Sequence, residues 1–272
     1  MLRFSYYLDS RLRGNDTKAF SQKMNTFSPF DGRISEAAML QVLYEDNHLL
    51  AVNKPAGLAT MGMPAGTPTL LEIARRYIAE KYGKPGRTYL GVVSRLDAPV
   101  TGLVLFARTS KAAARLNEQF RTHQVEKVYW ALVEGRFELQ EAEWVDYLVP
   151  DRRHRRVHRL RLEESGGDRR PDAQGVKEAR LLVRRLQVLG RLSWVEIRPL
   201  TGRKHQIRVQ LAEHGYPILG DRKYGSREKF PVGIALHARQ LAFSHPVQQT
   251  RLELTAPLPP IWRKWGIAEQ PP

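Results

Sequence analysis

The chain has 272 residues, with 44 lysines and arginines against 28 aspartates and glutamates, a formal charge of +16. Its 42% of hydrophobic residues suffices for a packed core and excludes a disordered tail protein. The absence of cysteine removes disulfides, thiolate–metal centres and cysteine nucleophiles, and suits a reducing cytoplasm. A surface this basic draws polyanions, nucleic acid first, although some basic proteins use charge only for solubility.

The longest uncharged apolar run, Ala98 to Ala107, reaches only half of the ~20 residues that a helical membrane span needs. Residues 1–35 mix arginines with Asp9 and Asp16 and lack a secretory apolar core, so they read as a poorly ordered extension. Met24 stands inside it as an alternative start.

From Gln41 the pattern becomes regular. QVLYED and HLLAVNKPAG read as two short strands around an Asp-Asn turn, closed by Pro55 and Gly57. A loop, Met61 to Pro68, leads to Thr69, which opens a helix with Leu70, Ile73, Tyr77 and Ile78 near helical spacing and Gly83 at its end. YLGVVSRLDAPVTGLVLFARTSKAAARLNEQF reads as a strand, a tight turn, a fully buried strand and a helix capped by Ser110. EKVYWALVEG is a strand rich in β-branched and aromatic residues.

Residues 151–175 break the pattern, with six arginines between Arg152 and Arg161 followed by a polar, glycine-containing stretch. KEARLLVRRLQVLG and RLSWVEIRPL then pair around Gly190, and GRKHQIRVQLAEHG reads as a helix stopped by Gly215. ARQLAFSHP and QQTRLELTAPLP supply two further strands. Strands outnumber helices and mostly follow one another directly. That order predicts an α+β fold with a mixed, largely antiparallel sheet flanked by helices.

Four stretches carry chemistry. Asp97, beside Arg95, follows a hydrophobic strand and precedes a turn; the bland alternative is an acid that only caps that turn. Thr201-Gly202-Arg203-Lys204-His205-Gln206 at a helix start would offer phosphate donors, or simply a solvated basic end. Lys204 and Arg208, four apart, would share a face of that helix. His154 and His158 are spaced for a metal, but the arginines around them repel a cation. Tyr129 and Trp130 point to opposite sheet faces, so one of them can serve as a stacking platform while the other enters the core.

Taken together, YEDNHLLAVNKPAGL, RLDAPVTGLVLFARTSKAAARL, VEKVYWALVEG and IRPLTGRKHQIRVQLAEHGYPILGDRKYG resemble the RluA type of RNA pseudouridine synthase. They occur in the family's order over residues 41 to about 255. The resemblance implies the pseudouridine synthase fold and an enzyme that exchanges the N1–C1′ bond of uridine for a C5–C1′ bond, with no cofactor and no metal. It implies Asp97 as catalytic carboxylate, Tyr129 of the K-x-Y motif against the target base, and Arg208 of the H-Q-[IL]-R motif paired with Asp97. An arginine in that place would hold the carboxylate as an aimed anion, whether it attacks C1′ or removes a sugar proton.

Two residues depart from the family pattern: Ser94 stands where histidine is common before R-L-D, and Val100-Thr101 replace the more usual Thr-Ser. Residues 36–272 are expected to form one catalytic domain with no S4 RNA-binding domain before it. RNA contacts are therefore expected from Arg95, Arg152, Arg153, Arg155, Arg156, Arg203, Lys204, His205 and Gln206. The expected partner is structured RNA, ribosomal or transfer, bound by a cytoplasmic monomer with no membrane or obligatory protein partner. The rivals are a non-catalytic RNA-binding protein that kept the fold and a glycosylase that releases the base.

Overall fold

The structure, a computed structural model, describes residues 40–83, 88–151, 153–154, 156–160 and 175–270. The expected extension 1–35 and residues Arg152, Arg155 and Arg161 lie outside the described residues.

Among the described residues, eleven strands form one sheet. They are β1 (Gln41–Glu45), β2 (Leu49–Lys54), β3 (Gly91–Val92), β4 (Thr101–Ala107), β5 (Glu126–Glu134), β6 (Glu141–Asp151), β7 (Arg156–Arg159), β8 (Lys177–Leu189), β9 (Leu192–Pro199), β10 (Leu236–Ser244) and β11 (Arg251–Thr255). Their order is β1-β2-β4-β10-β5-β9-β8-β6-β7, with β3 added to β4 and β11 to β10. Every ladder is antiparallel except β4–β10, so the expected largely antiparallel α+β sheet is what forms. Among the described residues three α-helices accompany it: α1 (Leu70–Lys81), α2 (Ser110–Arg121) and α3 (Gln206–Glu213). No described helix is long and apolar enough to cross a membrane.

Local chemistry explains most of the boundaries. Thr69 and Glu72 form a reciprocal capping box that starts α1. Helix α2 is capped by Thr109, whose side chain accepts the Ala112 N–H, and not by Ser110 as the sequence suggests. Ser110 is the first helical residue. Gly190, at φ 64°, makes the β8–β9 turn.

One strand goes unread in the sequence, and one expectation is corrected. The arginine-rich region begins inside a hairpin, because the acid-rich segment Glu141–Asp151, which reads weakly in sequence, is the long strand β6 that pairs β7. The helix expected from Thr201 starts only at Gln206, because His205 takes left-handed backbone (φ 54°, ψ 17°) that a helix cannot continue. Lys204 therefore precedes the helix and shares no face with Arg208.

Strand β4 is buried along its whole length. One of its edges pairs with β2 from Gly102 to Ala107. The other pairs with β10 at Thr101 and Gly102 and with β3 at Phe106 and Ala107. Gly102 makes the β10 approach possible: at φ 114°, a Cβ there would lie 2.4 Å from the Ala238 carbonyl oxygen. One core layer packs Leu103, Leu105 and Leu49 against Ala112, Ala113 and Leu116 of α2. The larger one joins β5, β8 and β9 to Ile207 and Leu211 of α3, with Trp130 and Trp194 in edge contact at 5.0 Å. Each fully buried Leu, Ile or Val stabilises by roughly 1.5–3 kcal/mol, so these layers hold the sheet rigid under whatever sits on it.

Candidate active site

A cleft of about 670 Å³ opens where β3 and β10 part along β4, floored by Leu103 and Leu236. Asp97, Tyr129, Lys127, Arg95, Arg203, Lys204, His205 and Arg208 all border it.

Asp97 lies between β3 and β4, in a turn closed by the Val100 N–H donating to the Asp97 carbonyl at 3.1 Å. Its side chain does not cap that turn. Arg208 Nη1 donates to Asp97 Oδ2 at 2.8 Å. The segment carrying Asp97 is fastened on both sides. Thr60 exchanges hydrogen bonds with the Leu96 backbone (2.9 and 3.1 Å), and Ser94 Oγ accepts the Leu105 N–H at 2.8 Å. The Ala98 carbonyl accepts the Gly57 N–H at 2.8 Å and Lys54 Nζ at 3.1 Å. Ser94, at the family's usual histidine position, thus has a backbone-holding task of its own.

Arg208 is 6% exposed, on a buried face of α3. Nε and Nη2 donate to Asp221 at 2.6 and 2.9 Å, a bidentate pair, and the Tyr224 ring lies 5.0 Å beneath the guanidinium. Burial works against its charge, but the hydrogen bonds and charge of Asp221, then of Asp97, hold its pKa above the ordinary arginine value. The cation is thereby locked and can present only Nη1 to Asp97.

Tyr129 is half-buried in β5 beside the same cleft. Burial, then the charge of Asp97, pushes its phenol up to about 12, so it keeps its proton at neutral pH. Trp130, on the opposite face, is buried, as strand alternation requires. Lys127 donates to the Thr201 carbonyl at 3.4 Å, and burial lowers its pKa to about 8.

Lys54 escaped the sequence reading. It is buried at the end of β2, its three ammonium protons meeting the carbonyls of Pro55 (2.8 Å), Leu58 (2.8 Å) and Ala98 (3.1 Å). Burial pulls its pKa down to about 7 against the opposing charge of Asp97. A lysine next to proline at a strand end gives no sign of burial in sequence. Asp221 and Tyr224 lie in the quoted GDRKYG stretch, but spacing alone gives them no role.

Of the residues expected to hold RNA, Arg95, Arg203 and Lys204 are exposed around the cleft. His205 borders it and donates or accepts at Tyr224 Oη over 2.7 Å. Gln206 also lines the cleft but is itself buried, its amide oxygen accepting from Thr201 Oγ1 (2.8 Å) and the Arg203 N–H (2.9 Å) while its nitrogen donates to the Arg180 carbonyl (3.0 Å). It holds the 201–206 turn from within. Arg153 and Arg156 are exposed on the β6–β7 hairpin, and Arg156 borders a second cavity of about 310 Å³ with Lys223 and Tyr224. His154 and His158 both turn to Asp151, at 2.7 and 3.3 Å. Burial, then Arg208, Lys204 and Arg156, lowers the pKa of Lys223, a sign of dense positive potential on this side.

The sequence pattern of the RNA pseudouridylate synthase family matches residues 48–213, which takes in the Asp97, Tyr129 and Arg208 segments. The dual-specificity RNA pseudouridine synthase RluA of Pasteurella multocida is 33% identical over 224 residues, covering 80% of this chain and 93% of its own. The ribosomal large subunit pseudouridine synthase C of Vibrio cholerae is 31% identical over 245 residues, covering 87% and 72%. Among solved structures, human RNA pseudouridylate synthase domain containing 4 superposes with a TM-score of 0.71 at 25% identity, covering 84% of this chain and 93% of that one. With a carboxylate and a locked arginine facing one cleft on a matching fold, the chain belongs to the RluA type of the RNA pseudouridylate synthase family.

Proposed function

We propose that this RNA pseudouridine synthase acts on uridine in structured RNA, ribosomal or transfer, with Asp97 as the carboxylate that opens the glycosidic bond. The carrying observation is the 2.8 Å pair between Asp97 Oδ2 and a buried, immobilised Arg208 at the edge of a nucleoside-sized cleft. Attack at C1′ and removal of a sugar proton both need a carboxylate anion, and Arg208 supplies the opposite charge beside it. Arg208 occupies Oδ2, so Oδ1 is the oxygen available to the sugar.

A uridine within a folded RNA must first leave its stack, at a cost of a few kcal/mol, and Tyr129 offers the aromatic wall that receives the base. Once N1–C1′ is broken, uracil turns inside the cleft and C5 bonds to C1′; the C5 proton leaves, N1 gains one, and no co-reactant is consumed. Arg95, Arg203 and Lys204 hold phosphates near the cleft, and Arg153 and Arg156 hold them farther along the RNA. On this reading the chain works as a monomer in the cytoplasm, a setting that suits the absence of cysteine.

The test is tritium release from RNA labelled at uridine C5, ribosomal and transfer pools assayed separately. Asp97→Asn is expected to lower the rate by about 10³–10⁴-fold while RNA affinity stays within about twofold. Wild-type release by Asp97→Asn would remove Asp97 from the chemistry. No release by the native chain from either pool would favour the non-catalytic RNA-binding reading.

A further inference from the structure

His205 is held in left-handed backbone immediately before α3, a conformation that side-chain-bearing residues avoid. Such strain beside a reactive group invites the question of what the residue is aimed at. The imidazole spans two partners. Nδ1 lies 2.7 Å from Tyr224 Oη, and Nε2 lies 3.6 Å from Asp97 Oδ2.

The protons can be assigned. The Tyr224 oxygen accepts the Val157 N–H of β7 at 3.2 Å, and a backbone N–H can only donate. Among the described residues, the phenol's own proton then has His205 Nδ1 as its acceptor. A neutral imidazole that accepts at Nδ1 carries its proton on Nε2, the nitrogen facing Asp97. At 3.6 Å this N–H is just outside hydrogen-bond range and needs only a small closing movement.

We infer that His205 is a positioning residue for Asp97 and that the Tyr224 hydroxyl fixes the tautomer in which it works. Neutral His205 and cationic Arg208 approach the same oxygen, Oδ2, and leave Oδ1 to the sugar. This inference rests on Asp97 being the catalytic carboxylate.

The charged groups facing the ring are Asp97 from the β3–β4 segment, Arg208 from α3, Lys204 beside it in the chain, and Lys223 next to Tyr224. Burial first, then Arg208, Lys223 and Lys204, outweigh Asp97 and bring its pKa down to about 4, so the ring is neutral at pH 7. Hydrogen-bond donation from Tyr224 to Nδ1 favours that neutral form. Without the hydroxyl, Nδ1 gains proton affinity. The charged ring would then bring a second cation to Oδ2 and draw negative charge away from Oδ1, the oxygen that must react.

The experiment is single-turnover pseudouridine formation against pH, with RNA affinity measured alongside, for the native enzyme, Tyr224→Phe, His205→Gln, His205→Ala and Asp97→Asn. Tyr224→Phe keeps the ring under Arg208. Its acid limb is expected to move up by about one pH unit, with RNA affinity unchanged. His205→Ala is expected to lose about tenfold in rate, and His205→Gln, which restores an N–H donor but cannot titrate, to recover most of it. An unmoved acid limb in Tyr224→Phe, or a native rate in His205→Ala, would overturn the inference. Asp97→Asn separates the two readings. If it is inactive while the other variants behave as native, only the positioning role fails; if it is active, the carboxylate assignment itself fails.

Discussion

Arg208 Nη1 donates to Asp97 Oδ2 at 2.8 Å across 111 residues of sequence, while the rest of the guanidinium is held by Asp221. The two carboxylates divide the work. Buried Asp221 fixes the cation, and Asp97, 30% exposed at its side chain, keeps access to the cleft.

Arg208→Lys is therefore not conservative. One ammonium cannot bond Asp221 in bidentate fashion and Asp97 in another direction. We expect the rate of pseudouridine formation to fall by about 10²-fold, as for a misplaced catalytic group. Stability should fall by about 3 kcal/mol because the buried Asp221 loses a matched partner. Single-turnover kinetics and urea unfolding read the two effects separately.

Lys54 should leave its mark on stability above neutral pH. Its folded pKa is drawn down to about 7, whereas an unfolded lysine holds its proton to about 10.4. Between those values the unfolded chain binds more protons, so stability rises with pH, and the burial penalty is felt in full at and below neutrality. The slope contributed by Lys54 is up to about 1.4 kcal/mol per pH unit. Lys127, with its pKa near 8, adds to it farther up. Urea unfolding between about pH 7 and 9 should show this rise in the native chain and a shallower one in Lys54→Met; equal slopes would contradict it.

Arg153 and Arg156 are exposed on the β6–β7 hairpin, and neither lines the cleft that holds Asp97. Replacing both by alanine should weaken RNA binding and reduce the slope of log affinity against log salt by about one for each phosphate no longer neutralised. The rate at saturating RNA should stay within about twofold, since neither touches the reacting atoms. Fluorescence anisotropy over a salt series, with single-turnover rates, checks both halves.

Gly102→Ala should cost about 3 kcal/mol or more, because the added methyl meets the Ala238 backbone as well as an unfavourable φ. Gly62→Ala is the matched control: φ there is 79° but nothing lies within 4 Å of a Cβ, so about 1 kcal/mol is expected. A similar loss at both sites would mean that φ alone sets the cost.

The parts of the fold and site that sequence reveals are those where local pattern and final environment agree. Leu103–Ala107 is uniformly apolar because it is covered on both faces, and Thr69 with Glu72 announces a helix start by the same bonds that make one. Asp97, Tyr129 and Arg208 are legible as motif residues, and the cleft gathers all three. What stays hidden depends on distant partners. Lys54 is buried by carbonyls that a loop folds over it, and Asp221 matters because α3 lays Arg208 against it. Strand β6 starts with exposed Glu141 and Glu143 alternating with half-buried residues and buries Asp146, so its hydrophobic signal is thin until β8 pairs with it. The start of α3 falls five residues beyond Thr201 because no local propensity foretells a left-handed histidine.

Strand β10 joins two half-sheets, β1-β2-β4 with Asp97 at its border, and β5-β9-β8-β6-β7, which leads through β9 to Arg208. A ribosome makes Asp97 and Arg208 well before residues 236–244, yet the two lie on halves that β10 stitches together. The nascent chain thus cannot complete its reactive centre until this late strand has emerged and threaded between β4 and β5. Such non-local pairing makes for slow folding, so acquisition of activity should trail synthesis and come as one late, cooperative step. An enzyme built this way stays inert toward the RNA around it until the strand that closes its sheet is in place.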